Sequence, residues 1–254
     1  MEHITSRKNR IITHLRALGS DRSYRRECGE YLCDGETLLQ EALKFGAEIV
    51  TVLCVDGQHV ELSEGIPTYS VPQELLEYVS PLKNSRGPLF SVRIPAEADG
   101  VFSNAIVLEN VQDPGNVGTV IRTASAFGIG AVILVGDCAD PYNFKTVRSA
   151  MGALFRQRIL TADMSMLTDL LHNNGLKLYG AALTDSAEDI RNVDVKNAAV
   201  AIGSEGRGLS KAFLEGCNGQ IIIPMLPHSE SLNAAVAAAV VMWEMNGGAL
   251  PCLR

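Results

Sequence analysis

The stretch that most constrains this chain runs from 108 to 128, LENVQDPGNVGTVIRTASAFG. Ala105, Ile106, Val107 and Leu108 lead into it as the end of a strand, Asp113-Pro114-Gly115 turns the chain, and a helix restarts. Asn116 suits the helix cap, because its side chain can accept one of the orphan backbone N–H groups of the first turn. Val117, Val120, Ile121, Ala124 and Phe127 recur at helical spacing and predict a core-facing stripe. Arg122 lies off that stripe, and its neighbours one turn away, Gly118, Thr119, Ser125 and Ala126, are all small. A random helical arginine is a solvated surface residue. A long cation on a face cleared of bulk, beside a Gly-rich strand-to-helix turn, can instead reach into a cleft.

From 105 onward strands alternate with helices. The strands are read at 106–108, 131–135, 177–181, 200–202 and 220–223, and the helices at 116–127, 144–150, 165–173, 209–215 and 233–245. Such alternation predicts an α/β domain with a mostly parallel sheet covered on both faces. Before it, a helix at 35–45, strands at 49–55, 68–71 and 88–94, and a Pro72-started helix through Val79 predict a smaller α/β unit. The segment PAEADGVFSN, 95–104, has linker composition. The domains are therefore expected at 1–97 and 105–254, with a linker at 98–104.

The second Gly-rich loop, IGSEGRGLS at 202–210, follows a strand and opens a helix, the position at which α/β folds bind nucleotides. It is not a phosphate-binding P-loop, since Leu209 rather than Lys follows the Gly203-x-x-x-x-Gly208 spacing. The dinucleotide fingerprint G-x-G-x-x-G is absent as well. Glu205, in the middle of the turn, would repel phosphate and suits a hydroxyl, amine or arginine partner better. The third stretch, IIIPMLPHSESLNAAVAAAVVMWE at 221–244, runs from a buried strand through Pro224 and Pro227 into an Ala/Val helix led by Ser231-Leu232-Asn233. Its alanines leave little bulk, so another element, from this chain or a second copy, can approach closely.

Charge is distributed unevenly. The whole chain of 254 residues carries a net charge of −7, which argues against nucleic-acid binding by overall charge, so any positive surface for RNA must be local. Yet Arg7, Lys8, Arg10, Arg16, Arg22, Arg25 and Arg26 crowd the start. A charge cluster is usually a solvated helix face; against an acidic whole, this one reads as a phosphate-contacting patch. The six cysteines, Cys252 among them, show no C-x-x-C spacing and no zinc pattern with His, so a reducing cytoplasm and structural thiols are expected. His59, His172 and His228 stand alone and are read as non-catalytic. The longest apolar run, 234–243, falls well short of the roughly 18 residues a membrane span needs.

Taken together, the stretches at 108–128, 202–210 and 221–244 resemble the SpoU (TrmH-type) family of SPOUT-class RNA 2′-O-ribose methyltransferases, in order and at the family's spacing. The N-terminal unit looks like the ribosomal-protein-like substrate-binding domain often fused ahead of it. The resemblance implies a catalytic domain whose C-terminal segment threads a trefoil knot, an exception to unknotted topology. It implies S-adenosylmethionine bound by backbone groups of the second and third stretches, with no metal. Gly203, Ile223 and Leu232 match the family's cofactor contacts, and Asn116, Arg122, Glu205, Ser231 and Asn233 match its catalytic set. It also implies a homodimer with the site near the interface. One local departure is Ala234-Ala235 after Ser-Leu-Asn, where a β-branched residue or serine is common.

With RNA as the partner, the basic patch at the start would contact it through Arg7, Lys8, Arg10, Arg22, Arg25 and Arg26. Ribosomal RNA is preferred over transfer RNA, because the extra N-terminal domain resembles those of the rRNA-modifying members. Arg122 would act on the ribose hydroxyl. A pKa above about 12 argues against a free guanidinium as base, leaving alkoxide stabilisation or proton transfer through it to an RNA phosphate. The competing readings are a tRNA 2′-O-methyltransferase, a catalytically silent RNA-binding module of the same fold, and an unrelated nucleotide-binding α/β enzyme.

Overall fold

A computed structural model describes residues 2–96, 100–226 and 231–247. The N-terminal third runs β1 (Glu2–His3), α1 (Arg10–Ser20), α2 (Arg22–Cys28), β2 (Glu30–Asp34), α3 (Glu36–Lys44), β3 (Ile49–Val55), β4 (Thr68–Val71), α4 (Gln73–Val79) and β5 (Leu89–Arg93). There follow β6 (Ala105–Glu109), α5 (Pro114–Ala126), β7 (Ala131–Val135), α6 (Phe144–Ala150), β8 (Ile159–Ala162) and α7 (Met164–Asn173). The chain closes with β9 (Lys177–Ala181), β10 (Glu188–Asp189), β11 (Ala198–Ile202), α8 (Lys211–Glu215), β12 (Gly219–Ile222) and α9 (Ala234–Asn246).

Two compact units result: Met1–Ala96 with Asp140–Arg156, and Glu97–Ala139 with Gln157–Arg254. In the first, five strands lie in the order β1-β4-β3-β5-β2, with β5 antiparallel to both of its neighbours. Ile12, Leu15 and Leu18 of α1, spaced along one helix face, pack with Leu75, Leu76 and Val79 of α4 and with Leu32, Leu53 and Leu89 from the sheet. Phe144 of α6 is buried in the same cluster.

That last contact corrects the expected boundary, which ran the catalytic domain unbroken from 105 to the end. The segment 140–156 packs with the N-terminal unit through Phe144, the Tyr31–Tyr142 ring pair at 5.0 Å and an Arg156–Glu41 ion pair of 3.1 Å. Its firmest tie is Arg25. Nε and Nη2 donate to Oδ2 of Asp140 at 3.0 and 2.7 Å, and Nη1 donates to the Leu18 carbonyl at 2.7 Å. With 2% of its surface exposed, Arg25 is a buried structural cation, and its assignment as an RNA contact is withdrawn.

The second unit is a seven-stranded, wholly parallel sheet in the order β10-β12-β9-β11-β6-β7-β8. Every residue of β6, β7 and β11 is buried, so these strands read as continuous apolar runs because both faces are covered. Helix α5 starts earlier than its sequence suggested. Asp113 is the cap, accepting the Asn116 N–H at 2.8 Å, and Pro114 takes the first helical position, where its missing N–H is no loss. Asn116 thus sits inside the first turn with its side chain free for other work. Helix α9, capped by Asn233, packs on α5 and β11. The expected linker is also shorter: Phe102 is buried in this unit's core, and Asn104 Oδ1 accepts the Gly130 N–H at 2.8 Å. Residues 97–99 lie outside the described ones.

Arg25→Ala leaves Asp140 without its partner and is expected to cost about 3–5 kcal/mol of stability. The exposed neighbour Arg26→Ala should change it by no more than about 0.5 kcal/mol. Denaturant unfolding of the two variants checks the contrast; equal effects would contradict the buried pair.

Candidate active site

In open parallel sheets ligands bind beyond the carboxyl ends of the strands, where loops diverge. Here the ends of β9, β11 and β12, with the segment entering α9, enclose a cavity of about 400 Å³. Ile202, Leu209, Leu214, Ile221, Ile223 and Leu232 make its apolar lining, while Ala234 and Ala237 present the α9 face. The small side chains of α9 therefore have a use: they leave space.

The loop after β11 owes its shape to glycine. A β-carbon on Gly203 would fall 2.0 Å from the carbonyl carbon of Gly208, so only hydrogen fits there. The turn is pinned by the Gly208 N–H donating to the Ser204 carbonyl at 2.8 Å, with Gly208 in the left-handed region at φ +65°. At its exit, Ser210 donates its N–H (2.7 Å) and hydroxyl (2.6 Å) to the buried carboxylate of Glu109 at the end of β6. Ser210 Oγ also accepts from the Phe213 N–H at 3.2 Å and caps α8. Glu109 was not singled out in the sequence. An acid ending the otherwise apolar strand AIVLE was the available signal.

Three of the sequence-predicted residues meet. The Glu205 carboxylate accepts from the side-chain amide of Asn116 and, at 2.7 Å, from that of Asn233 through the same oxygen, Oε1. Asn233 Nδ2 also reaches Asn116 Oδ1 at 3.1 Å, while its own Oδ1 caps α9 by accepting the Ala235 and Val236 N–H groups at 3.0 and 3.3 Å. This one side chain therefore starts a helix and joins it to the loop. Gly203, Ile223, Leu232, Ser231 and Glu205 line the cavity. Arg122 does not. It is exposed on α5, six residues past Asn116, and is absent from the cavity wall of its own chain.

The expected N-terminal contacts Arg7, Lys8, Arg10, Arg22 and Arg26 are all exposed. Sequence reading left Tyr78 out: the guanidinium carbons of Arg16 and Arg7 sit 3.8 and 4.6 Å from the centre of its ring. Burial pushes the Cys54 and Cys217 thiols up to about 11, leaving them protonated and unreactive near neutrality. Among the described residues no cluster of His, Cys, Asp or Glu is placed to hold a metal, and no helix is long and apolar enough to cross a membrane. Pro227, His228 and Cys252 lie outside those residues.

A parallel α/β sheet with a pinned glycine loop and an amide-clamped carboxylate beside a strand-end cavity defines the class, and residues 103–243 match the SpoU rRNA Methylase family. The chain belongs to that family. It is 32% identical to the 23S rRNA (guanosine(2553)-2′-O)-methyltransferase RlmP of Bacillus subtilis, over 97% of this chain and 100% of that one. In fold it is similar to an AdoMet-bound rRNA methyltransferase from Sinorhizobium meliloti, with a TM-score of 0.87, 26% identity, and 98% and 99% of the two chains covered. It is likewise similar to the SpoU methyltransferase AviRb from Streptomyces viridochromogenes in complex with AdoMet, with a TM-score of 0.83, 27% identity, and 95% and 98% covered.

Asn233→Asp keeps a good helix cap but sets a carboxylate against Glu205. The variant is expected to be destabilised, and adding Glu205→Gln, which restores a donor facing an acceptor, should recover about 1 kcal/mol or more of coupling. A double-mutant cycle in urea measures it. Strictly additive effects would mean that the amide–carboxylate contact carries no energy.

Proposed function

We infer that this chain transfers a methyl group from S-adenosylmethionine to a ribose 2′-hydroxyl of ribosomal RNA. The observation that carries the reading is the Asn116–Glu205–Asn233 cluster, which gathers the starts of α5 and α9 and the loop after β11 beside the cavity. The donor set suits this cofactor. An apolar wall suits an adenine ring, and the loop and strand ends offer backbone groups for its polar edges, with Gly203, Ile223 and Leu232 as the residues that would hold it. When bound, S-adenosylmethionine supplies an electrophilic methyl on a positive sulfonium. Support comes also from the AdoMet-bound relatives and from the activity named for the Bacillus subtilis protein.

The work of the chain is to orient the hydroxyl and to stabilise the charge it develops. Arg122 stabilises the forming alkoxide by charge and hydrogen bonding, which needs no unprotonated guanidinium. Asn116 and Glu205 hold the start of its helix, and Asn233 and Ser231 shape the entrance from the α9 side. Because Arg122 is not part of its own chain's cavity wall, this role calls for a homodimer with the site near the interface. Val236 and Trp243, exposed one heptad apart on α9, offer an apolar face for a second copy. The trefoil knot belongs to the same reading. Strand β12 lies beyond β9, while α9 packs back on α5 and β11, an order of elements that supports it.

RNA docking is assigned to the N-terminal unit through Arg7, Lys8, Arg10, Arg22 and Arg26, and the place of work to the cytoplasm. Arg122→Ala is expected to lower methyl transfer by about 10²–10³-fold, with cofactor affinity within about twofold of the parent. Transfer of radiolabel from S-adenosylmethionine to ribosomal RNA from a strain lacking the protein, with calorimetric titration of the cofactor, decides it. No transfer by the parent protein would favour a silent RNA-binding module; equal loss of transfer and cofactor binding would make Arg122 structural.

A further inference from the structure

The wall of the cavity holds two charged residues among those described, Glu205 and Arg207. They are in opposite situations. One oxygen of the Glu205 carboxylate already takes two amide donors. Arg207 is exposed, and no ion pair or hydrogen bond ties it among the described residues. It is nonetheless not a loose surface arginine, because its backbone lies inside the turn closed by Ser204 and Gly208, which pair as an isolated bridge. The tip of that turn is open: a β-carbon added to Gly206 would meet no atom within 4 Å. The Glu205 carboxylate on this turn would repel a phosphate by itself, but its Oε1 is tied to the amides of Asn116 and Asn233, and Arg207 sets a cation on the same pinned turn at the edge of the apolar cavity, arranged for an anion that arrives from solvent.

Two anions could come there, and charge separates them. S-adenosylmethionine has a carboxylate, but it carries a net positive charge through its sulfonium and ammonium, so a second cation gains little from it. RNA brings a phosphate beside every ribose, and a guanidinium matches phosphate in planar, two-pronged geometry. We propose that Arg207 holds a backbone phosphate next to the target ribose at the mouth of the cavity, and so contributes to RNA binding there without acting on the 2′-hydroxyl. This rests on the methyltransferase reading above. It adds a contact that acts on the substrate from the cofactor loop itself, separate from Arg122 on α5.

The test uses the full-length protein, ribosomal RNA from a strain lacking it, and S-adenosylmethionine, with Arg207→Ala, Arg207→Glu and Arg207→Lys. Arg207→Ala is expected to raise KM for RNA about tenfold, with kcat and the cofactor Kd within about twofold. Arg207→Glu should do more, Arg207→Lys less, and the salt dependence of RNA binding should become shallower by about one phosphate contact in the alanine variant. Thermal melting checks that each variant is folded. An unchanged KM for RNA would overturn the proposal. So would a weakened cofactor Kd at constant KM, which would give Arg207 to the cofactor carboxylate, or a fall in kcat alone, which would make it an activating group. Absence of methyl transfer by the parent is a different failure and falls on the function itself; RNA binding and its salt slope still read the phosphate contact in that case.

Discussion

One carboxylate holds the catalytic end of this fold together. Glu205 sits at a turn that only glycine neighbours allow, and its Oε1 gathers amides from residues 89 and 28 positions away along the chain. Each of those amides belongs to the first or capping residues of a helix, Asn116 in α5 and Asn233 before α9. Fixing the carboxylate therefore fixes where two helices begin, and both pack against each other over the sheet. A second carboxylate, Glu109, anchors the far end of the same loop through Ser210. Between the two anchors the loop is tied at both ends, and it lines the cavity. Such positioning is what methyl transfer asks of a protein, since the hydroxyl must meet the methyl in line at about 3 Å.

Charge is unevenly placed along the chain. The chain is acidic overall, so attraction to RNA has to be local. The exposed N-terminal arginines, two of them stacked on Tyr78, are the local concentration of positive charge to which the proposed function assigns RNA docking. Cation–π contact holds a guanidinium in place without neutralising it, so Arg7 and Arg16 keep their charge while losing some side-chain freedom. The 140–156 segment, which follows β7 in sequence and packs with the N-terminal unit, means that neither unit is a separable piece of chain.

Much of this was legible in the sequence where the signal is local. The buried strands at 105–109, 131–135 and 198–202 announce themselves as apolar runs, with Glu109 at the end of the first the one exception, and the glycines and prolines mark the loops that matter. Asn116 and Asn233 stood out at helix starts and Glu205 in a Gly-rich turn, all three as matches to the family's catalytic set, although nothing in their spacing says that they touch. What escaped reading depends on partners distant in sequence. Arg25 looks like its neighbours Arg22 and Arg26 until Asp140, 115 residues on, takes its charge. Phe144 reads as part of the helix it starts, and only the packed unit reveals which core it enters. Strand β8, half-exposed at the sheet edge, lacks the apolar run that would announce it. The cap of α5 was misread for a local reason: Asp-Pro-Gly-Asn offers two good capping residues, and Pro114 decides for Asp113 because proline fits the first helical position.

The central claim is that a glycine-pinned loop and the entrance to α9, clamped together by Glu205, form the seat of the methyl donor. A crystal structure of the protein with S-adenosylmethionine tests it most directly. The account predicts the cofactor in the cavity between Gly203, Ile223 and Leu232, with Glu205 still bound to both Asn116 and Asn233. A cofactor seated elsewhere, or a cluster that comes apart to admit it, would contradict the account.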